Sequence, residues 1–175
     1  MIEGPASPSE VLKTFFVVDG LLGDYDATEW PSFFAFMPDD KTIPNNVVCI
    51  YDEDGKAELK SMRSNDVVEH PKVEIHARAT TYSEAYAKLK SLQDALDRYR
   101  YSYTKVGDYY YAIINATRKG TIKNLGQATG TQRRFIAAMT YNLTLMSADT
   151  EGTLIEGEGS SLLHALVHET LPGIL

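Results

Sequence analysis

Apolar and polar residues alternate one by one from Val73 to Thr80, and this alternation predicts a strand with one buried and one polar side. A capping box formed by Thr81 and Glu84 follows directly, so a helix is predicted over residues 82–99. Apolar residues recur there at steps of three and four, which is the spacing of an amphipathic helix of roughly 18 residues, about 27 Å long. The apolar sides of this strand and this helix must be buried against each other or against further strands.

The rest of the chain shows one more helical pattern and several short apolar runs. A first helix is predicted to begin at Pro8, because Ser7 and Glu10 form a second capping box and proline is tolerated at the first helical position. Its apolar stripe consists of Val11, Phe15, Val18 and Leu22. Further strands are predicted at residues 33–37, 47–51, 108–117 and 135–146. Irregular structure is predicted as a turn at residues 52–55, a weakly patterned excursion at residues 56–69 and a long loop at residues 118–134.

This order of elements combines runs of strands with two helices. It predicts an α+β fold: an antiparallel β-sheet of about four to five strands packed against two α-helices, with a C-terminal extension. A chain of 175 residues is long enough for one domain with a sizeable hydrophobic core and too short for two such domains. We therefore expect a single α+β domain at residues 1–147, followed by an acidic linker and a short C-terminal helix at residues 148–175.

Composition and charge narrow the class of protein. The hydrophobic content of 43% and the charged content of 23% are ordinary for a soluble globular protein. The net charge of −7 argues against a dedicated nucleic-acid binder, which is normally basic. The first residues include Glu3 and Pro5 rather than a basic segment and an apolar core, and no apolar run approaches the roughly 20 residues of a membrane span. The sequence thus predicts an intracellular soluble protein without a membrane segment.

Candidate catalytic groups are sparse. The glycines between Gly120 and Gly130 lack the Gly-Lys-Ser/Thr ending of a phosphate loop. His164 and His168 lie four residues apart without the His-Glu-x-x-His pattern of zinc proteases. Cys49 lies inside an apolar strand, where a small buried hydrophobe is expected rather than a nucleophile. We therefore predict no catalytic residue, no cofactor and no metal site, and we expect that the protein is not an enzyme.

One segment differs in charge from the rest of this acidic chain. Residues 118–134 contain no acidic residue and carry Arg118, Lys119, Lys123, Arg133 and Arg134. The tail reverses this charge with Asp149, Glu151, Glu156 and Glu158. The basic segment is either a solvated hairpin loop or an arm that contacts an acidic surface of another subunit or a nucleic acid.

Residues 44–55 and 69–86 carry a combination of motifs that is more specific than an amphipathic pattern. A short strand of the form valine-x-isoleucine-x-x-arginine is followed by a tyrosine, an acidic residue and an alanine–tyrosine pair that open the long helix. The residues are Val73, Ile75, Arg78, Tyr82, Glu84, Ala85 and Tyr86. In this the chain resembles the tailed-phage minor capsid and tail terminator proteins, over residues 8–146. His76 is a departure, because a polar or aliphatic residue is typical of the family at that position.

The resemblance implies a non-enzymatic assembly protein of the virion. Such proteins form a ring, usually a hexamer, on the head-proximal end of a long phage tail, stop polymerisation of the tail tube and provide the surface for head joining. The implied partners are other copies of the chain, the tail-tube protein and a head-completion or neck protein, with genomic DNA passing through the lumen without sequence-specific binding. The implied location is the tail or neck of the virion, after assembly in the host cytoplasm.

A ring requires heterologous contacts, in which one face of a subunit meets a different face of its neighbour. The basic segment and the acidic tail are one candidate for such a complementary pair. The candidate interface residues are Arg118, Lys119, Lys123, Arg133, Arg134, Glu74, His76, Arg78, Asp149, Glu151, Glu156 and Glu158.

Two alternatives stay open at the level of the sequence. The first is another neck or tail structural protein, such as a head-completion or tail-tube protein, which predicts a different stoichiometry or open-ended tubes. The second is a small α+β enzyme or ligand-binding domain. It predicts a pocket lined by Tyr109, Tyr111, His76 and Cys49.

Overall fold

The computed structural model describes residues 6–39, 42–60, 67–99, 102–127 and 134–148 of the 175-residue chain. These residues form two helices and six strands. In chain order they are α1 (Pro8–Val18), β1 (Ser32–Phe34), β2 (Val47–Lys60), β3 (Val67–Ala79), α2 (Tyr82–Leu96), β4 (Ser102–Val106), β5 (Tyr109–Gln127) and β6 (Phe135–Ala148). The linker and helix predicted for residues 148–175 lie outside the described residues, apart from Ala148 at the end of β6.

The strands form a single curled, half-barrel sheet in the order β1-β2-β3-β6-β5-β4. β1 pairs with β2 in parallel, and the other four neighbouring pairs are antiparallel. The predicted α+β fold with four to five antiparallel strands is therefore wrong, because the described chain is mostly β, with six strands in a mixed sheet.

The parallel pairing of β1 arises from the path of the chain after it. We call residues 35–46, with positions 40 and 41 outside the description, the crossover segment. It leaves the sheet after Phe34, passes over the side of the sheet that carries no helix and returns at Val47. Because it returns to the end from which β1 started, β2 runs in the same direction as β1.

Three strands, β2, β3 and β5, extend well beyond the apolar runs that predicted them. β2 continues through residues 52–55, which were predicted to turn, and β5 continues to Gln127 through most of the predicted basic loop. Irregular registers absorb the turn-like residues, between Glu53 and Lys56 in β2 and between Lys119 and Lys123 in β5. At Gly55 a side chain would lie 2.9 Å from the carbonyl oxygen of His70, so the close approach of β2 and β3 requires glycine there.

Both helices pack on one side of the sheet and bury the predicted apolar faces. The alternating residues Val73, Ile75, Ala77 and Ala79 are fully buried, which confirms the predicted apolar side of β3. The capping box of Thr81 and Glu84 is also confirmed, since each side chain accepts the backbone N–H of the other residue. α2 ends at Leu96, three residues before the predicted end.

Helix α1 differs from its predicted stripe at one position. Val11 and Phe15 are buried as predicted, whereas Val18 at the end of the helix is 73% exposed. Phe16, which lies outside the predicted stripe, is fully buried and its ring centre lies 5.9 Å from that of Tyr99. Among the described residues, no helix is both long enough and apolar enough to cross a membrane.

Candidate functional site

We call the side of the sheet that faces away from both helices the outer face. Side chains alternate along a strand, so the residues between the buried positions of β3 and β6 point to this side. On β3 these are Lys72, Glu74, His76 and Arg78, and on β6 they include Thr140, Asn142 and Thr144. The outer face thus carries most of the polar side chains of the two central strands.

A groove of about 960 Å³ runs across the outer face over β3, β6 and β5. Its lining is polar and includes Lys72, Lys119, Lys123, Thr140, Asn142 and Thr144. Hydroxyl, amide and ammonium groups from three neighbouring strands thus line one groove.

The charge of the groove is positive, in contrast to the chain as a whole. Lys72 forms an ion pair with Glu53, and the hydrogen bond to that carboxylate raises the pKa of Lys72. Lys119 and Lys123 are exposed and form no ion pair with any residue that the structure describes. These two lysines therefore offer uncompensated positive charge on the outer face.

Two buried arginines share one carboxylate where the crossover segment lies on the outer face. Arg134 Nη1 lies 2.5 Å from Asp39 Oδ1, and its Nε donates to Asn45 Oδ1 at 2.9 Å. Arg78 Nη1 lies 3.7 Å from the same Asp39 oxygen and donates to the carbonyl of Pro38 at 2.7 Å. Burial, and then the nearby Arg134 charge, lower the pKa of Arg78. The cluster holds the crossover segment against the sheet.

Cys49 lies under the same segment. It is fully buried, and its thiol donates to the carbonyl oxygen of Phe36, with the sulfur 3.0 Å from that oxygen. Burial is the main reason that the pKa of the thiol rises from 9.0 to about 11. At neutral pH the sulfur is therefore protonated and covered, which is the opposite of an activated nucleophile.

We expect Cys49 of the folded protein to react with iodoacetamide at least about 100-fold more slowly at pH 8 than the urea-unfolded chain does. Since the folded thiol has the higher pKa, its thiolate fraction grows only as the pH approaches about 11. Labelling followed by mass spectrometry measures both rates. Equal rates in the folded and unfolded protein at pH 8 would contradict the buried position.

The structure brings together only some of the candidate interface residues predicted from the sequence. Lys119 and Lys123 share the outer face with Glu74 and His76, whose side chains are paired with Nε2 and Oε2 2.9 Å apart. Five further candidates, Arg133, Asp149, Glu151, Glu156 and Glu158, lie outside the described residues.

The predicted basic loop is not a loop over most of its length. Arg118, Lys119 and Lys123 lie within β5, and β6 begins at Phe135, directly after Arg134. Residues 128–133 lie outside the described part of the chain. Pairing with β6 along its whole length overrides the polar, glycine-containing composition of this stretch.

The two described arginines of the basic segment form contacts within the subunit. Arg118 points to the helical side, where its Nη1 donates to Gln93 Oε1 of α2 at 2.7 Å. Arg134, like Arg78, is almost fully buried in the cluster around Asp39. A charge reversal at Arg134 would consequently test the fold rather than an interface.

Sequence reasoning did not identify Asp39, Asn45 or the row of threonines and asparagines in the groove. Asp39 follows a proline in a run typical of a turn, which hid its role as an anion for two arginines. The polar side of β6 was visible in the alternation from Phe135 onward, but the sequence did not show that β3 and β5 flank it.

The pocket predicted for a ligand-binding domain does not form from its four predicted residues. His76 and Cys49 belong to the outer face, whereas Tyr111 faces the core and its hydroxyl accepts the N–H of Ala6 at 2.7 Å. Tyr109 also packs against the main core. These four residues lie on opposite sides of the sheet, so that predicted pocket is wrong.

Within the described ranges, no group of three or more histidine, cysteine, aspartate or glutamate side chains could hold a metal ion.

Likeness to known proteins is found among solved structures. No protein-family model matches the chain, and no curated protein matches it. Among solved structures, the chain is similar to a chain of the virion of a native gene transfer agent particle, with 13% sequence identity and a TM-score of 0.47. The likeness covers 79% of this chain and 95% of that chain. We take no function from a likeness of this size.

Proposed function

We propose that this protein is a structural subunit of a tailed-phage virion, which assembles as a ring on the head-proximal end of the tail tube and stops tail polymerisation. The observation that carries the proposal is the helix-free outer face, an open and basic polar surface on an otherwise acidic chain. A surface of this kind fits a macromolecular partner. The motifs around Val73 and Tyr82, which resemble those of tail terminator proteins, support the choice of partner class.

The two sides of the sheet differ in chemistry and in their proposed roles. The helical side is filled by a continuous apolar core and supplies stability. The outer face contributes hydroxyl, amide and ammonium groups that remain accessible in the groove. Polar, hydrated contacts are typical of subunits that first fold alone and then assemble, because their interface must tolerate water before assembly.

The partners follow from the same proposal. Further copies of the chain would form the ring, a hexamer by the resemblance to the family. The tail-tube protein would lie on one side of the ring and a head-completion or neck protein on the other. Genomic DNA would pass through the lumen without sequence-specific contacts. The net charge of −7 is compatible with such passage, since like charges repel.

Lys119 and Lys123 provide the test, since they are the uncompensated charges of the groove. Exchange of both for glutamate is expected to raise about tenfold the protein concentration needed for ring formation on purified tail tubes. Light scattering behind a sizing column, with and without tubes, should detect a species of six times 19.5 kDa for the unchanged protein. Electron microscopy should show that the bound protein stops tube growth.

The matched control is the pair Lys90→Glu and Arg98→Glu, which changes the charge equally at exposed positions on the helical side. This control should assemble like the unchanged protein. Equal assembly of both double variants would count against the outer face as the contact surface. Open-ended growth of the protein by itself would instead indicate a tail-tube protein.

A further inference from the structure

The two outermost strands of the sheet are much shorter than the strands they cover. β1 pairs only with residues 48–50 of β2, and β4 pairs only with residues 109–113 of β5. Among the described residues, residues 52–60 of β2 and residues 114–127 of β5 therefore have a strand partner on one side only. We call these the free edge of β2 and the free edge of β5. Each presents a row of backbone N–H and C=O groups that a further strand could pair with.

The two free edges lie at opposite ends of the strand order of the sheet, and their strands run in opposite directions. Three antiparallel pairings separate them, from β2 to β3, from β3 to β6 and from β6 to β5. β2 and β5 are consequently antiparallel to each other. If a second copy is placed beside the first by rotation about an axis along the strands, β5 of one copy meets β2 of the next as an antiparallel pair.

The two free edges are also displaced along the strand direction. Following the register across the sheet, the level of Lys119 in β5 is that of Thr140 in β6, Glu74 in β3 and Tyr51 in β2. The middle of the free edge of β2 lies several residues C-terminal to Tyr51. Joining the edges thus requires a stagger of about five residues, or roughly 16 Å, between neighbours. A constant stagger with tilted strands is what closure of a sheet into a barrel-like ring requires.

Charge makes the two edges complementary. The free edge of β5 carries Arg118, Lys119 and Lys123 and no acidic residue. The free edge of β2 is acidic on balance, because Asp52, Glu53, Asp54 and Glu58 outnumber Lys56 and Lys60. Glu53 is the member of this acidic group that is ion-paired with a lysine within the subunit. Lysines and irregular registers on an edge oppose pairing with an arbitrary strand, so the β5 edge favours a partner strand with carboxylates.

We propose that copies of this chain join head to tail by antiparallel pairing of the free edge of β5 with the free edge of β2 of the next copy, which gives the ring one continuous sheet. This rests on the proposed function in that it supposes a ring. It adds the surface, the strand direction and the partner, a second copy of the same chain. Main-chain hydrogen bonds supply the contact, and the lysines and carboxylates select the pair of edges.

Backbone hydrogen exchange tests the pairing without knowledge of its register. Wild-type protein is compared as the monomer and as the assembled species formed at high concentration or on purified tail tubes. Amides in residues 114–127 and 52–60 are expected to exchange at least about tenfold more slowly after assembly. The amides of α2 serve as the internal reference, since their intrahelical hydrogen bonds should change little.

A cysteine pair tests the head-to-tail geometry. Asp54→Cys and Thr121→Cys are combined in one chain at exposed positions of the two edges, while the native Cys49 stays buried. Oxidation of the assembled protein should then give a ladder of disulfide-linked species up to the full ring. In the control, Asp94→Cys on α2 replaces Asp54→Cys. That chain should give dimers at most, because only one of its cysteines lies on a joined edge.

The possible outcomes separate the two proposals. A six-copy ring without slower exchange at either edge overturns the edge pairing and leaves the proposed function standing. Disulfide-linked dimers without larger disulfide-linked species would indicate face-to-face contact between two copies. This result would also overturn the edge pairing. A protein that stays monomeric at every concentration, with and without tail tubes, contradicts both.

Discussion

Replacement of Phe16 by alanine is expected to lower the free energy of unfolding by about 3–5 kcal/mol, the largest loss we predict for a single substitution here. Phe16 is fully buried on α1, and its ring packs with Tyr99 at a centre-to-centre distance of 5.9 Å. Removing the ring loses its transfer free energy and leaves a cavity between α1 and the chain that follows α2. For a chain of this length the melting temperature should fall by roughly 10 °C.

Val18 on the same helix is the matched control. Its side chain is 73% exposed, so Val18→Ala should change the free energy of unfolding by no more than about 0.5 kcal/mol. Urea unfolding followed by circular dichroism compares the two variants. Similar losses for Phe16→Ala and Val18→Ala would mean that α1 packs in the orientation that the sequence stripe predicts rather than the one described.

Replacement of Asp52 by alanine is expected to lower the free energy of unfolding by about 1–2 kcal/mol. The carboxylate accepts two hydrogen bonds from Ser9 in the first turn of α1, from the backbone N–H at 2.8 Å and from the hydroxyl at 2.7 Å. Ser9 is fully buried, so both donors lose their partner at once. A negative charge at this position also interacts favourably with the helix N-terminus.

Asp54→Ala, two residues further along β2, is the control for lost negative charge. Its carboxylate is exposed at the rim of the groove, and the change should cost less than about 0.5 kcal/mol. Asp52→Asn should fall between the two, because the amide oxygen can still accept one of the hydrogen bonds. Thermal and urea unfolding of the three variants give the order. An Asp52→Ala protein as stable as Asp54→Ala would show that the link between β2 and α1 contributes little.

The composition of the β5 free edge affects when the proposed ring would assemble. An edge that carries lysines, glycines with positive φ at Gly120 and Gly126, and irregular registers is a poor template for arbitrary strands. In the proposed assembly, such an edge would keep the isolated subunit from growing without limit. The proposed ring would then form where several copies are brought together in a common orientation, as on the end of a tube.

Strong local patterns in the sequence predicted the elements that depend on local chemistry. The capping box at Thr81 and Glu84 and the alternation along β3 are both present, because a cap uses groups three residues apart and an amphipathic strand needs only a core on one side. The interior location of Cys49 followed from the apolar run around it. These features hold whatever strands lie next to them.

The polar stretches of β2 and β5 were not predicted as strand, because their stability comes from neighbouring strands that are distant in sequence. Residues 118–127 read as a loop by composition, yet β6 pairs with them along the whole stretch. Residues 52–60 read as a turn and an excursion, yet β3 pairs with them across an irregular register. Neither stretch has an apolar period of its own, so only pairing with the neighbouring strand makes it part of a strand.

For the candidate site, the sequence by itself determined that a cluster of positive charge exists in an acidic chain, since charge is a property of composition. Only the tertiary structure decided which charges are available. It buries Arg134 with Asp39, turns Arg118 toward α2 and leaves Lys119 and Lys123 exposed on the outer face. The physical reason is that side-chain accessibility follows from strand pairing and from the path of the crossover segment. Both are set by contacts between residues far apart in the chain, which no local pattern encodes.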